Sequence, residues 1–512
     1  MPVRGCFVFT AARSYGLTAG TYTAILGAMS GQGDRLELDA ETMRVLGYRV
    51  VDRLVERIAG LGDEPAWQAG DRVTLERLLR EPPPESAEPF DTLLDRLVRD
   101  VLPHGARVDH PRFLGFVPGS PTWPGILGDF IAAGYNIFQG SWLGGSGASA
   151  IELVVTDWFK QWIGYPDAAA GLLTSGGSVA NLTAIACARQ LRYGGHDDRA
   201  VLYLSAECHS SVARAARILG FGSDRVRSVA ADTVRGLDPF ALEESIRVDR
   251  AAGLDPFLVV ANAGTTSTGT VDPLPALAGI ARASNLWLHV DAAYGGFVVL
   301  TDRGRRELDG LGLADSVTLD PHKWLFQPFE AGCLLVREGS HLETAFRILP
   351  DYLQDARITD DGERLRPVNF MDRGAQLTRS ARALKVWLSL KYFGLPPFRD
   401  AIDRAMDLAV QAESQLVEAG RFQILSPARL GIVCFRRIAD DHDRVHTDEI
   451  SLERANARLV SALSASGHAL ISSTRIDGRY ALRFCILNHR TTSADVSSVI
   501  GWLRCAHFRP ET

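Results

Sequence analysis

The chain of 512 residues is poor in the features that define several protein classes. Its seven cysteines (Cys6, Cys187, Cys208, Cys333, Cys434, Cys485 and Cys505) include no C-x-x-C pair, so zinc-ribbon spacing is absent. Their odd number and wide spacing speak against a disulfide framework, and a reducing, cytoplasmic compartment is expected. No run reaches the roughly 18 apolar residues that span a bilayer. The uncharged stretch from Ser14 to Gly33 is rich in Gly, Thr, Ser and Ala rather than Leu, which makes a poor signal segment. A basic excess is missing as well: 55 Lys and Arg stand against 61 Asp and Glu, a net charge of −6. Nucleic-acid and membrane partners are therefore not expected. Internal repeats and extended low-complexity segments are also lacking. With 46% apolar and 23% charged residues the composition is globular, and the length calls for at least two cooperating domains.

Residues 1–35 read as a flexible extension, or as sequence upstream of a chain that begins at Met29. From Asp39 the spacing of Val45, Leu46, Val50, Val51, Leu54, Val55 and Ile58 predicts an amphipathic helix. The Pro82-Pro-Pro84 connector and a second amphipathic stretch, Phe90 to Val101, follow. Residues 36–122 are thus expected to form a helical arm whose apolar faces need a partner. Residues 123–384 alternate β-branched runs (Val201-Leu-Tyr-Leu, Phe257-Leu-Val-Val, Leu286-Trp-Leu-His-Val, Cys333-Leu-Leu-Val) with helical segments, the texture of a mostly parallel α/β sheet. Residues 385–512 read as a small α+β domain. In it Pro396-Pro397 is a break, Phe398 to Ala419 a long helix, and Gly431–Phe435 and Tyr480–Ile486 strands.

Four motifs in the α/β region carry chemistry. Leu173-Thr-Ser-Gly-Gly-Ser-Val-Ala-Asn-Leu runs into a helix start, where free backbone N–H groups and the helix dipole suit a phosphate and the Ser178 hydroxyl adds a donor; an ordinary capped turn has the same pattern. Asp291 ends an apolar strand in Leu286-Trp-Leu-His-Val-Asp-Ala-Ala-Tyr, where a carboxylate needs a cation or donors; a strand-end cap is the bland reading. Lys323 in Asp320-Pro-His-Lys-Trp can form an imine if it is desolvated, whereas an ordinary lysine snorkels to solvent. His209 follows a strand in Glu207-Cys-His-Ser-Ser and can lie flat on a ring, or can be a satisfied structural histidine. A phosphate cup, an acidic strand end and an imine-forming lysine together are what pyridoxal phosphate requires.

Those blocks, with His110-Pro-Arg-Phe and in the same order, resemble the group II pyridoxal-phosphate-dependent amino-acid decarboxylases, aromatic-L-amino-acid decarboxylases among them, from about Leu36 onward. The resemblance implies the fold type I (aspartate-aminotransferase-like) architecture: a mostly parallel seven-stranded sheet with helices on both faces, beside the arm and the small domain. It implies decarboxylation of an L-amino acid, aromatic or bulky, to the amine and CO₂ through a Lys323 aldimine and a quinonoid, in a homodimer. Asp291 is implied to pair with the pyridine nitrogen and His209 to stack on the ring. Gly177, Ser178, Thr266, Ala293 and His322 would line the cofactor, and Thr378 would approach the partner's phosphate. Tyr352, 29 residues beyond Lys323, would protonate the substrate carbon. Phe116, Pro118 and Trp142 would line the substrate pocket, although Val117, Gly119 and the turn after Trp142 depart from the aromatic decarboxylase pattern. Oxidative deamination or transamination on the same fold is the alternative, because both also need Lys323 and Asp291.

Three patterns are set aside. Gly145-Ser-Gly-Ala-Ser-Ala spells a dinucleotide fingerprint with no strand leading into it. Asp440-Asp-His-Asp-Arg-Val-His has metal-like spacing in a polar connector, and no metal is expected. The Arg303-Gly-Arg-Arg cluster reads as a solvated helix face.

Overall fold

The computed structural model describes residues 36–117, 119–232, 235–348, 367–438 and 448–506. Pro118, Tyr352 and the Asp440–His446 stretch lie outside the described residues. The chain divides into two compact units, residues 1–107 with 464–469 and residues 108–463 with 470–512.

In the first unit the helix Ala40–Gly60 begins where Asp39 accepts the Glu41 and Thr42 backbone N–H groups, each at 2.9 Å. That satisfies two donors the first turn would otherwise leave open. Asp71 caps Arg72–Leu79 in the same way through Thr74 N at 2.7 Å. The stretch from Phe90 is helical to Arg96 and continues as a π turn over Leu97–Val101. Met43, Tyr48, Val55, Val73, Leu97 and Leu102 are exposed.

The second unit is built on a seven-stranded sheet: β1 (Ala170–Thr174), β2 (Ala200–Ser205), β3 (Val226–Val229), β4 (Asp255–Asn262), β5 (Trp287–Asp291), β6 (Ser316–Leu319) and β7 (Gly332–Val336). Their order is β1-β7-β6-β5-β4-β2-β3. Only β7 runs against its neighbours, pairing Gly332 with Thr174 and Cys333 with Leu319. Side chains alternate between two cores, as the two-residue period of a strand demands. Leu202, Leu204, Leu258 and Val260 pack with Ile185, Val212 and Ala215 from helices Gly177–Tyr193 and Ser210–Ile218 on one face. Val201, Tyr203, Val259 and Val290 pack with Phe159, Ile246 and Leu277 from helices Trp142–Ile163, Pro239–Ala251 and Leu274–Ala283 on the other. Burial on both faces explains the near-continuous apolar runs, each such side chain contributing about 1.5–3 kcal/mol. Replacing Val290, which is fully buried, with Asp would place an unpaired charge in the middle of the sheet.

A second sheet of five strands joins β8 (Phe422–Arg429), β9 (Ile432–Arg437), β10 (Leu470–Ile476), β11 (Arg479–Cys485) and the short strand Phe113–Leu114 in the order β8-β9-β11-β10-(Phe113–Leu114). Phe113–Leu114 runs parallel to β10; the other pairs are antiparallel. Three features differ from the sequence reading. Pro396 and Pro397 begin the long helix Pro396–Glu418 instead of breaking the chain before it, because a first-turn proline gives up no hydrogen bond. Strands β8 and β10 were not anticipated: β8 carries Pro427, and β10 reads Ser472-Ser-Thr-Arg through its middle. Phe113–Leu114 stands in this sheet, not in the helical arm.

Gly145 lies inside the helix Trp142–Ile163 at a kink (φ −165°, ψ 54°), so no strand–turn–helix exists there for a dinucleotide. Arg303 lies on the short helix Asp302–Glu307 and pairs with Asp407 at 3.3 Å. Among the described residues no helix is long and apolar enough to cross a membrane.

Candidate active site

Loops leaving the C-terminal ends of β1, β2, β4, β5 and β6 converge on one cavity of about 250 Å³. This is where a parallel sheet opens its helix N-termini and strand-end side chains to a ligand. The β1 loop enters the helix Gly177–Tyr193 through Gly176, whose φ of 154° favours glycine. A Cβ on Gly177 would stand 2.9 Å from Ala293 Cβ and 3.1 Å from Asp320 Oδ2, so the backbone reaches the cavity only because this residue has no side chain. Gly177 and the exposed Ser178 present the first turn of the helix to the cavity.

On the opposite strand end Asp291 is 7% exposed. Its Oδ2 accepts from Asn181 Nδ2 at 2.8 Å and its Oδ1 from Ala293 N at 3.1 Å. His209 lines the cavity, with Nδ1 2.7 Å from Ser211 Oγ and accepting from Ser211 N at 3.3 Å. Partial burial holds the imidazole below its ordinary pKa, with Asp291 pulling it upward and Lys323 downward. Lys323 Nζ lies 2.9 Å from Asp320 Oδ2, while Asp320 Oδ1 is buried with no partner among the described residues. His322 has Nδ1 2.6 Å from Ala331 O and is likewise held low by burial. Thr266 and Ala293 complete the lining named from sequence.

Lys323, Asp291, His209, Gly177, Ser178, Thr266, Ala293 and His322 therefore meet in one place. Thr378, Phe116 and Trp142 do not line this cavity. Thr378 is exposed. Phe116 is 64% exposed and is fixed through its backbone, donating to Ser472 Oγ and accepting from Arg483 Nη1 at 2.6 Å. Trp142 starts its helix with its N–H on Asn369 Oδ1 at 2.9 Å. Pro118 and Tyr352 lie outside the described residues. The sequence reading missed Asn181, Ser211 and Asp320 as site residues. Asn181 lies one helical turn after Gly177, on the same face, which was the available signal.

The donor set fits pyridoxal phosphate. A seat that a Cβ would fill suits the phosphate, a buried carboxylate suits a protonated ring nitrogen, a flat imidazole suits the ring face, and the amine of Lys323 suits the aldehyde.

Residues 73–438 match the pyridoxal-dependent decarboxylase conserved domain. The chain belongs to this family. An aromatic-L-amino-acid decarboxylase from Bacillus atrophaeus is 41% identical over 467 residues, covering 91% of this chain and 96% of that one. A phenylacetaldehyde synthase from Petunia hybrida is 31% identical over 466 residues, 88% and 91% of the two chains. Among solved structures, Oryza sativa TDC with PLP and tryptamine superposes with a TM-score of 0.86 at 28% identity, over 92% of this chain and 99% of that one. As a pyridoxal-dependent decarboxylase the protein is a carboxy-lyase that uses pyridoxal phosphate.

Proposed function

We propose that the decarboxylase acts on aromatic L-amino acids and releases the amine and CO₂. The observation that carries the reading is the meeting of Lys323, Asp291, His209 and the Gly177 seat in one cavity, in a chain with the resemblance to an aromatic-amino-acid decarboxylase given above. When bound, the cofactor supplies an electron sink for the pair left behind as CO₂ departs.

The chain's own residues do the rest. Gly177 and Ser178, with His322 and Thr266 nearby, hold the phosphate through the open helix turn. Asp291, held by the Asn181 and Ala293 donors, would face the ring nitrogen of the bound cofactor and favour a proton there. His209 covers one ring face and limits water. Lys323 would supply the amine that holds the cofactor's aldehyde until substrate binds. Tyr352 is assigned the proton that replaces the lost carboxylate; the assignment of Phe116, Pro118 and Trp142 to the substrate side chain rests on the family resemblance, since Phe116 and Trp142 do not line the cavity. The homodimer reading draws on the exposed apolar side chains of the helical arm, Val55, Leu97 and Leu102 among them, and on the exposed position of Thr378, ready for a partner's site. A cytoplasmic location follows from the cysteine pattern.

The aldehyde-forming relative keeps a second reading in view, decarboxylation coupled to oxidative deamination. A panel of amino acids supplied to the holoenzyme, with CO₂, amine and aldehyde all quantified, separates the two. Equal CO₂ and amine from Trp, Tyr or Phe supports the proposal. Aldehyde in place of amine selects the second reading, and CO₂ from acidic substrates alone overturns the aromatic assignment.

A further inference from the structure

Behind the cavity wall the polar side chains form one continuous hydrogen-bonded chain with Asn181 as its branch point. Asn181 is fully buried. Its Nδ2 lies 2.8 Å from Asp291 Oδ2 and 3.0 Å from Ser211 Oγ. Its Oδ1 is 2.7 Å from Thr318 Oγ1 and 3.0 Å from His289 Nε2. His289 Nδ1 is 2.8 Å from Ser316 Oγ, which takes the Trp287 indole N–H at 2.8 Å.

The donor and acceptor roles follow from chemistry alone. A carboxylate can only accept, so the amide must turn its NH₂ to Asp291 and its oxygen to Thr318 and His289. His289 then carries its proton on Nε2, and its Nδ1 accepts from the Ser316 hydroxyl. Full burial pushes His289 down to about 4, against the pull of Asp291, so this imidazole is neutral at working pH. On the other branch Ser211 Oγ accepts from Asn181 and lies 2.7 Å from His209 Nδ1, and the direction of that second contact is set by the backbone. The Ser211 backbone N–H donates to His209 Nδ1, so this nitrogen carries no proton and the Ser211 hydroxyl donates to it as well. His209 Nδ1 is thereby an acceptor, and the single ring proton sits on Nε2.

We propose that Asn181 is the positioning residue of this site, tying Asp291 to a His209 that carries its proton on Nε2. The inference rests on the cofactor reading above and extends it: one amide sets both the group beneath the ring nitrogen and the group against the ring face. The titratable groups around the amide are Asp291, His209, His289, Lys323, Asp320 and the Cys208 thiol, the last pushed far up by burial and then by Asp291. Hydrogen bonds inside such a low-dielectric network reinforce one another, so loss of the branch point affects both arms.

The test uses full-length holoenzyme. Asn181→Asp keeps the shape but places a second carboxylate against Asp291, so the pair must share a proton. The expected result is retained cofactor, a fall in kcat of about tenfold or more at neutral pH, corresponding to about 1.4 kcal/mol, and a new ionisation in the pH titration of the cofactor's visible band. Ser211→Ala cuts only the His209 arm; it should speed cofactor dissociation about tenfold, on the order of one lost hydrogen bond, and leave the visible-band titration as in the wild type. A visible-band titration and kcat of Asn181→Asp that superimpose on the wild type overturn the inference. A lowered melting temperature with an unchanged pH profile overturns it equally, because that is what a packing role alone gives. If Asn181→Asp does not fold, Ser211→Ala decides by its dissociation rate. Absence of any visible band in the wild type, or its persistence in Lys323→Ala, refutes the cofactor reading instead.

Discussion

Lys323 Nζ lies 2.9 Å from Asp320 Oδ2, and the other Asp320 oxygen is buried beside the Gly177 seat without a partner among the described residues. A carboxylate in that position repels an incoming phosphate. Asp320→Asn removes the charge at constant shape, and the variant is expected to bind pyridoxal phosphate about tenfold more tightly, or ~1.4 kcal/mol. Fluorescence titration of the apoprotein with the cofactor measures it; weaker binding would show that the carboxylate assists.

Lys323→Ala is expected to abolish the visible cofactor absorbance and all turnover, since among the described residues no other amine lines the cavity. A spectrum of the dialysed holoenzyme together with a CO₂ assay checks both, and retained activity would remove Lys323 from its role.

Tyr352→Phe is expected to leave cofactor affinity unchanged while shifting product from amine toward aldehyde. Deleting one hydroxyl removes a proton donor with little change in shape. Quantifying amine and aldehyde from the same reaction decides it, and an unchanged mixture removes Tyr352 from the protonation step.

Glu152 and Arg379 form an ion pair at 2.6 Å with side chains 0% and 1% exposed, and Glu152 Oε1 also takes the Leu173 N–H at 2.7 Å, close to the phosphate seat. Glu152→Gln leaves a buried guanidinium without its counter-charge and should cost about 3–5 kcal/mol in urea unfolding. The double variant Glu152→Met with Arg379→Met should recover much of that loss, because it removes both charges together.

Acid should destabilise the apoprotein. Burial pushes His289 and His489 down to about 4. Between roughly pH 6.5, where a free histidine titrates, and pH 4, the unfolded chain takes up protons that the folded chain refuses. Stability is therefore present above the upper limit and falls with pH, on the order of 3 kcal/mol per histidine. Asp272, raised to about 6 by burial, works in the opposite direction, as do Asp129, Glu207 and Asp315, while His209 and His322, also held low by burial, add to the loss. Urea midpoints at pH 7 and pH 4.5 should show the net loss, and His489→Gln should reduce it.

The part of the site legible in the sequence was the part that touches a cofactor. Asp291, Lys323, His209 and the Gly177 turn stand at strand ends and helix starts, where local patterning places them. Asn181 and Ser211 stand in the same quoted stretches, yet their function depends on partners 110 and 30 residues away, and no periodicity reports that. In the fold, the apolar strands β4, β5 and β7 were evident because both faces are buried. Strand β10 was not, because Ser472, Ser473 and Thr474 give it no apolar alternation. The β6–β7 reversal was equally invisible, since an antiparallel strand buried on both faces reads like a parallel one.

The five-stranded sheet also sets a timetable. Its Phe113–Leu114 strand pairs with Leu470 and Ile471, Phe116 N reaches Ser472 Oγ across 356 residues, and Asn488 Nδ2 reaches Asp109 O across 379. On the ribosome an early segment must therefore wait, unpaired, until nearly the whole chain has emerged. Contacts of such long range form slowly and leave apolar edges open in the interval. Expression at high temperature is therefore expected to give a lower soluble yield than expression in the cold, where slower synthesis leaves time for this late closure.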